Sequence, residues 1–179
     1  LGLLGLPNAG KSTFLSTITS AEPKIADYPF TTIHPVLGIA NHKSNEITIA
    51  DIPGLIEGAH GGKGLGDRFL GHIERCNTLL HLIDSSNQDP IKDWDTVRNE
   101  VISYSIELAD KEEIIALSKT DTISEEELKE KIELLKKHTG KKVISISSIT
   151  KEGIEEALDY IIANLMNVEE NDEDQKWTP

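Results

Sequence analysis

This chain is poor in cysteine, in positive charge and in long apolar runs, and each shortage excludes something. Cys76 is the only cysteine, so no disulfide can form within the chain; such usage fits a reducing compartment, with the cytoplasm as the expected location. Lysine and arginine number 18 against 31 aspartates and glutamates, a formal net charge of −13. That balance argues against a broad basic surface for nucleic acid. Part of the acidity is local: Glu169, Glu170, Asp172, Glu173 and Asp174 crowd the last residues beside Lys176. No apolar run approaches the ~20 residues that span a bilayer, so no membrane span is expected. The six histidines show no metal-ligand spacing such as H-E-x-x-H. There is no internal repeat. The start, Leu1-Gly2-Leu3-Leu4, has neither a Met nor a signal-peptide layout, and reads as a strand of an excised domain.

What is present is ordinary for a soluble globular protein: 37% hydrophobic and 27% charged residues over 179 positions. That length predicts one domain with a sizeable core, here 1–166, followed by an acidic, flexible tail over 167–179. A monomer is expected. Strand-like stretches near 1–5, 36–42, 46–51, 78–84, 112–118 and 142–146 alternate with helix-like stretches near 11–20, 67–76, 94–109, 124–138 and 152–166. This alternation is the pattern of a parallel α/β sheet covered on both faces. Ser124-Glu125-Glu126-Glu127 makes a capping box, and Gly140 sits where that helix should stop. Leu128, Ile132 and Leu135 form its buried stripe. Lys43, Ser44 and Asn45 suffice for a hairpin, so one antiparallel edge strand joins an otherwise parallel six-stranded sheet. Two stretches resist regular structure: 21–35, with Pro23, Pro29 and Pro35, and 54–71, with seven of the 13 glycines. Long loops in compact domains are usually functional or disordered.

The most informative segment is Gly5-Leu6-Pro7-Asn8-Ala9-Gly10-Lys11-Ser12. Its G-x-x-x-x-G-K-[ST] pattern predicts a phosphate-binding loop between a strand and a helix. Glycines at 5 and 10 allow backbone angles and close approaches that a side chain would block. The loop's N–H groups can turn inward around phosphates, and the following helix aims its positive end at the anion. Lys11 can reach the β and γ phosphates, and the Ser12 hydroxyl can ligate Mg²⁺. A bland Gly-rich turn is the alternative.

Downstream motifs narrow the ligand. Ile47-Thr48-Ile49-Ala50-Asp51 is a strand ending in a carboxylate, followed by Ile52-Pro53-Gly54, a D-x-x-G arrangement. Asp51 can hold Mg²⁺ through a water, and the Gly54 N–H can touch the γ phosphate. A strand followed by a Pro-Gly turn is the plain alternative. Thr31 and Thr32, after Phe30, offer a hydroxyl to complete the Mg²⁺ shell and order their loop around a triphosphate. Ile114 to Ser118 is a buried strand running into Ser118-Lys119-Thr120-Asp121. In this S-K-x-D, Asp121 would accept two hydrogen bonds from guanine, from N1–H and the exocyclic amine; adenine cannot donate that pair. The Lys119 stem would pack on the base. Ser118 stands where guanine-nucleotide enzymes usually carry Asn; serine is shorter, which predicts weaker affinity rather than altered base choice. Ser147-Ser148, leaving the last strand, lies where a backbone N–H could meet the guanine O6.

These residues resemble the Obg family of GTPases. The match rests on GLPNAGKST (5–13), ADYPFTT (26–32), DIPGLIEGAHGGKGLGDRFLGHIERC (51–76) and SKTD (118–121), and covers 1–166. The family's Gly-rich N-terminal domain does not occur in these 179 residues. The resemblance implies a P-loop NTPase fold of the Ras-like type, slow GTP hydrolysis, ready nucleotide exchange, binding to the maturing large ribosomal subunit and a response to guanosine tetraphosphate. It also implies that Ser12 and Thr32 ligate Mg²⁺, and that GTP or GDP is lined by Gly5 to Ser12, Phe30-Thr31-Thr32-Ile33-His34, Asp51 to Gly54, Ser118 to Asp121 and Ser147-Ser148-Ile149.

Cleavage itself is less well provided for. The residue after D-x-x-G, a water-orienting glutamine in Ras-like enzymes, is Leu55, which cannot hydrogen-bond water. Asn8 offers another device: related GTPases with Asn at this point of the loop bind K⁺. Catalysis is thus expected to rest on Lys11, Thr32, Gly54 and Asn8. Two competing readings remain: a nucleotide-gated ribosome-docking module with negligible intrinsic hydrolysis, and an ATPase, against which Asp121 argues. His60, in the Gly-rich loop, reads as a solvated histidine rather than a general base; His72, His81 and Trp94 read as surface or packing residues, and Arg68 and Arg75 as surface-paired.

Overall fold

A computed structural model describes residues 1–20, 24–25, 36–51 and 76–175, with the backbone alone at 24–25, 104 and 168–175. Seven strands form one sheet: β1 (Gly2–Leu4), β2 (Lys24–Ile25), β3 (Val36–His42), β4 (Asn45–Asp51), β5 (Thr78–Asp84), β6 (Glu112–Ser118) and β7 (Val143–Ser145). Their order is β2-β3-β4-β1-β5-β6-β7. Strands β4, β1, β5, β6 and β7 are mutually parallel, whereas β3 runs antiparallel to β4 and to β2. The six expected strands are all present. The expectation of six is corrected by the two-residue β2, which pairs Lys24 with Leu37 and Ile25 with Val36. It lies within the proline-bearing stretch read as irregular, and a strand so short carries no legible period. It also moves β3 from the edge to the second position.

Alternation along the parallel strands divides the core. On one face, Leu3, Leu80, Leu82, Ile114 and Ala116 pack with Phe14 and Leu15 of α1 (Lys11–Ile18) and with Ala157, Leu158 and Ile161 of α5 (Ile154–Gln175). On the other, Ile83, Ile115, Leu117 and Val143 meet Leu135 of α4 (Glu125–Thr139), and Leu79 meets Val97 and Val101 of α2 (Pro90–Tyr104) and Leu108 of the short α3 (Ile106–Ala109). Both faces are covered, so β5 is buried along its whole length and shows no polar alternation. Phe14, fully buried, is the sort of side chain whose truncation costs about 3–5 kcal/mol.

Local signals explain most boundaries. The Ser124 hydroxyl accepts from the Glu127 N–H at 3.2 Å, and Gly140 ends α4 at φ 69°. The helix expected over 94–109 starts earlier and breaks. Asp89 caps Lys92 N at 3.0 Å with Pro90 in the first turn. Ser105, extended at φ −156°, interrupts the run and caps α3 by accepting from Leu108 N. The last helix continues to Gln175 rather than stopping near 166. The expected helix over 67–76 lies outside the described residues, apart from Cys76, which is buried.

Candidate nucleotide site

Five parallel strands deliver their carboxyl ends to one rim of the sheet, the rim where α/β folds bind ligands. The phosphate loop leaves β1, Asp51 ends β4, Asp84 ends β5, Ser118 ends β6, and Ser147 follows β7.

The phosphate loop takes the shape its glycines allow. Gly5 has φ +147°, and a Cβ there would stand 2.4 Å from the Leu82 carbonyl oxygen, so β5 leaves no room for a side chain. Asn8 at φ 66° and Gly10 at φ 95° turn the backbone into a concavity ahead of α1. Ala9 is buried and its N–H bonds the Leu6 carbonyl at 3.1 Å; Pro7 and Asn8 are exposed. Lys11 Nζ donates to the carbonyls of Gly5 at 2.8 Å and Leu6 at 3.2 Å, which holds its ammonium over the loop.

Ser12 and Asp51 come together as expected, with the Ser12 hydroxyl donating to Asp51 Oδ2 at 3.3 Å. Burial pushes the Asp51 carboxyl above the ordinary carboxylate range, against the opposing pull of Lys11 and the Ser12 hydrogen bond. Asp51 Oδ1 is buried with no hydrogen-bond partner among the described residues. A hard divalent cation beside this oxygen, with the Ser12 hydroxyl alongside, would satisfy both; the donor set fits Mg²⁺. Among the described residues no three histidine, cysteine, aspartate or glutamate side chains gather as a metal cluster. Phe30, Thr31, Thr32, Ile33, His34, Ile52, Pro53, Gly54, Leu55, His60, Arg68, His72 and Arg75 lie outside the described residues.

The base side is a mesh of hydrogen bonds. Asp121 sits on a 3₁₀ turn (Thr120–Thr122) that Lys119 opens from a left-handed φ of 56°. Asp121 Oδ1 accepts from the Ser147 hydroxyl at 2.5 Å, so Ser147, fully buried, holds the carboxylate directly. The sequence points to a backbone N–H at Ser147-Ser148 for the guanine O6; the Ser147 side chain adds a contact to Asp121 that the sequence does not signal. The Thr17 hydroxyl of α1 lies 2.7 Å from the Thr13 carbonyl of its own helix and 3.3 Å from the Ser148 carbonyl, so this loop packs beside the phosphate-loop helix, while Ile149 is exposed. Thr120 N bonds the Ile146 carbonyl at 3.3 Å.

Ser118, though shorter than the usual Asn, bridges to the phosphate loop. It is buried, and its hydroxyl lies 2.7 Å from the Ala9 carbonyl and 3.1 Å from that of Ile83. The 118–121 loop is therefore tied to the phosphate loop through a serine. Gly10 is called for by its left-handed φ of +95° and not by crowding, since a Cβ there would meet Ser118 at 3.9 Å, an ordinary contact.

Several supporting residues were not singled out from the sequence. Asp84 Oδ2 pairs with Lys119 Nζ at 2.6 Å. Burial pushes the Asp84 carboxyl up, but hydrogen bonds from Lys119 and Ser86 outweigh it and hold it below its ordinary value. Ser85 bonds the Lys119 carbonyl, and Lys131 of α4 caps the carbonyls of Ser85 and Asn87. The legible signal is Asp84-Ser85-Ser86, a polar run at the carboxyl end of the mostly apolar β5. A cavity of ≈ 610 Å³ opens behind Asp121, between α4, β7 and α5, lined by Ile123, Leu128, Ile144, Gly153 and Glu156 among others. It borders the base side, and no phosphate-loop residue lines it.

His81 is a packing residue, as expected, but also bonds: its Nδ1 lies 3.0 Å from Glu113 Oε1, which Trp94 Nε1 also approaches at 3.2 Å. Burial pushes the Glu113 carboxyl up; the His81 hydrogen bond and the charges of His81, Arg98 and Lys141 more than reverse this and hold it below its ordinary value.

Comparison with known proteins agrees with this geometry. Residues 1–119 match the family described as 50S ribosome-binding GTPase. The GTPase Obg of Zymomonas mobilis is 53% identical over 162 residues, which cover 90% of this chain and 47% of that protein. The GTPase Obg of Rhizorhabdus wittichii is 48% identical over 182 residues, 99% of this chain and 53% of that one. The chain thus spans about half the length of these relatives. Among solved structures, the G domain of the T. maritima FeoB iron transporter superposes with a TM-score of 0.66 at 24% identity, covering 90% of this chain and 95% of that one. That likeness speaks for the fold. With the phosphate loop, the Asp51 and Asp121 rim and the family match in agreement, the chain belongs to the 50S ribosome-binding GTPases and carries the G-domain fold of the Obg type.

Proposed function

We propose that this chain binds Mg²⁺–GTP and hydrolyses it slowly to GDP and phosphate, acting as a switch in large ribosomal subunit assembly and the stress response. The observation that carries the reading is the shared rim: Lys11 over the phosphate loop, the orphaned Asp51 oxygen beside Ser12, and Asp121 held by Ser147. In this reading the loop N–H groups and Lys11 bind the β and γ phosphates. Ser12, Thr32 and Asp51 hold Mg²⁺, which neutralises charge on the phosphates. Asp121 accepts from the guanine N1–H and amine while the Lys119 stem covers the base. The Gly54 N–H contacts the γ phosphate. Leu55 supplies no water-orienting group, so turnover draws on Asn8 with a K⁺ ion or on a partner.

The proposed partners are guanine nucleotides, guanosine tetraphosphate included, and the large ribosomal subunit; the proposed state is a cytoplasmic monomer. Among the described residues, no helix is long and apolar enough to cross a membrane. Calorimetric titration with GDP, GTP and ATP in Mg²⁺ tests the ligand: guanine nucleotides bind and ATP does not, whereas ATP binding as tightly as GTP overturns the base assignment. Hydrolysis faster in K⁺ than in Na⁺, and lost in Asn8→Ala, supports the potassium role; equal rates remove it. Leu55 favours a second reading, a nucleotide-gated docking module with negligible intrinsic turnover. Single-turnover hydrolysis with and without large subunits separates the two.

A further inference from the structure

We infer that Ser85, outside every nucleotide-binding motif of the sequence, is a positioning residue that sets the guanine-reading carboxylate of Asp121. The inference rests on the proposed guanine site and names what holds it in shape. Ser85 follows directly on β5 and is fully buried. Its backbone N–H donates to the Ser118 carbonyl at 3.0 Å, extending the β5–β6 pairing by one residue. Its hydroxyl donates to the Lys119 carbonyl at 3.0 Å.

That carbonyl is a hub. It also accepts from Thr122 N at 3.0 Å and from the Thr122 hydroxyl at 2.7 Å, so the whole turn carrying Asp121 closes on it. Lys119 adopts φ 56°, a left-handed conformation that a lysine rarely takes and that surrounding contacts must enforce. If Lys119 relaxed to negative φ, its carbonyl would swing away and the turn after it would tilt, taking Asp121 off the base edge. Ser85 therefore acts on the backbone that aims the carboxylate, and Ser147 on the carboxylate itself.

Ser85 is anchored in its turn. Lys131 Nζ reaches across from α4 to the carbonyls of Ser85 at 2.7 Å and Asn87 at 2.9 Å. Asp84, the preceding residue, holds the Lys119 ammonium at 2.6 Å, so both ends of Lys119 are clamped by consecutive residues of one strand end. A path thus runs from α4 through Lys131 and Ser85 to Lys119 and Asp121. It makes base selectivity depend on an element that need not touch the nucleotide.

The readout is a selectivity ratio. Inosine diphosphate lacks the 2-amino group that Asp121 would accept from, so the ratio of GDP to IDP affinity reports how well the carboxylate is aimed. Affinities of unaltered protein, Ser85→Ala and Lys131→Met are measured for GDP, IDP and ADP with Mg²⁺, with thermal midpoints alongside. Ser85→Ala is expected to weaken GDP about tenfold, the scale of one lost hydrogen bond, and IDP much less, so that the ratio shrinks several-fold. Lys131→Met should move the ratio the same way to a smaller extent, and it keeps the test open if Ser85→Ala does not fold. In an Asp121→Ala background neither change should alter the ratio further. GDP and IDP weakening equally, with the midpoint lowered, would mark Ser85 as merely structural and overturn the inference. Failure of the unaltered protein to prefer GDP over ADP would instead overturn the proposed guanine site, and this inference with it.

Discussion

Ser118→Ala isolates what one hydroxyl contributes to joining the two nucleotide loops. The Ser118 hydroxyl has a single hydrogen and two acceptors in reach, Ala9 O at 2.7 Å and Ile83 O at 3.1 Å. The shorter bond goes to the phosphate loop. Its removal loses one buried hydrogen bond and leaves the carbonyl of buried Ala9 without that donor, a cost of about 1–3 kcal/mol. The side chain shrinks by one oxygen, so no appreciable cavity adds to the loss. For a domain of this size each kcal/mol lowers the midpoint by roughly 2–4 °C, so a drop of roughly 4–8 °C corresponds to the middle of that range. Differential scanning fluorimetry of the nucleotide-free protein measures it. Affinity for GDP should fall as well, by about tenfold, because the strap runs between the phosphate loop and the base loop. Ser118→Thr, which retains the hydroxyl, should recover part of both. A midpoint within 1 °C of the unaltered protein, with GDP affinity unchanged, would refute the bridging role and return Ser118 to a simple shortened asparagine.

Asp121→Asn should lower GDP affinity about a hundredfold or more and bring in xanthosine diphosphate, because an amide offers a donor where the carboxylate only accepts; competition with labelled GDP reads both. Gly153→Ala should destabilise strongly: the residue has φ +73°, and a Cβ would lie 2.1 Å from the Ser145 carbonyl oxygen, so a circular-dichroism melt falls by several degrees at least. Glu113→Gln tests the buried His81–Glu113–Trp94 cluster. The Glu113 carboxyl is held below its unfolded value, so its contribution is fully present above about pH 4.3 and is lost as pH falls through that value towards the lower folded one. The variant should therefore be less stable than the unaltered protein at pH 7, and the gap should narrow below about pH 4.3 in denaturant titrations; a gap independent of pH would exclude the charge as its source.

Much of the fold was legible because its determinants are local. The Ser124 cap, the Gly140 stop and the Leu128–Ile132–Leu135 stripe each specify their part of α4 through contacts within a few residues. The apolar stretches of β5 (Leu79-Leu80, Leu82-Ile83) and β6 (Ile114 to Leu117), without polar alternation, announce a doubly covered sheet. The break at Ser105 was not legible: its neighbours are helix-compatible, and only the capping of Leu108 N reveals the second start. Strand β2 was hidden for a different reason, since two residues pair only when β3 is already in place.

The candidate site divides along the same line. The sequence by itself carries the signal for the proposed ligand chemistry, because G-x-x-x-x-G-K-S and S-K-x-D hold it in residue type and spacing within single turns of chain. It also placed Asp51 at a strand end, one helix and two strands away from Ser12. Tertiary structure decided which side chains support those motifs. Ser118 reaches Ala9 across 109 positions, Ser147 reaches Asp121 across 26, and Ser85 reaches Lys119 across 34. A serine carries no signal of such a partner in its own neighbourhood. Only the parallel register of β1, β5, β6 and β7, which brings their carboxyl ends to one rim, turns four ordinary strand exits into one hydrogen-bonded mesh.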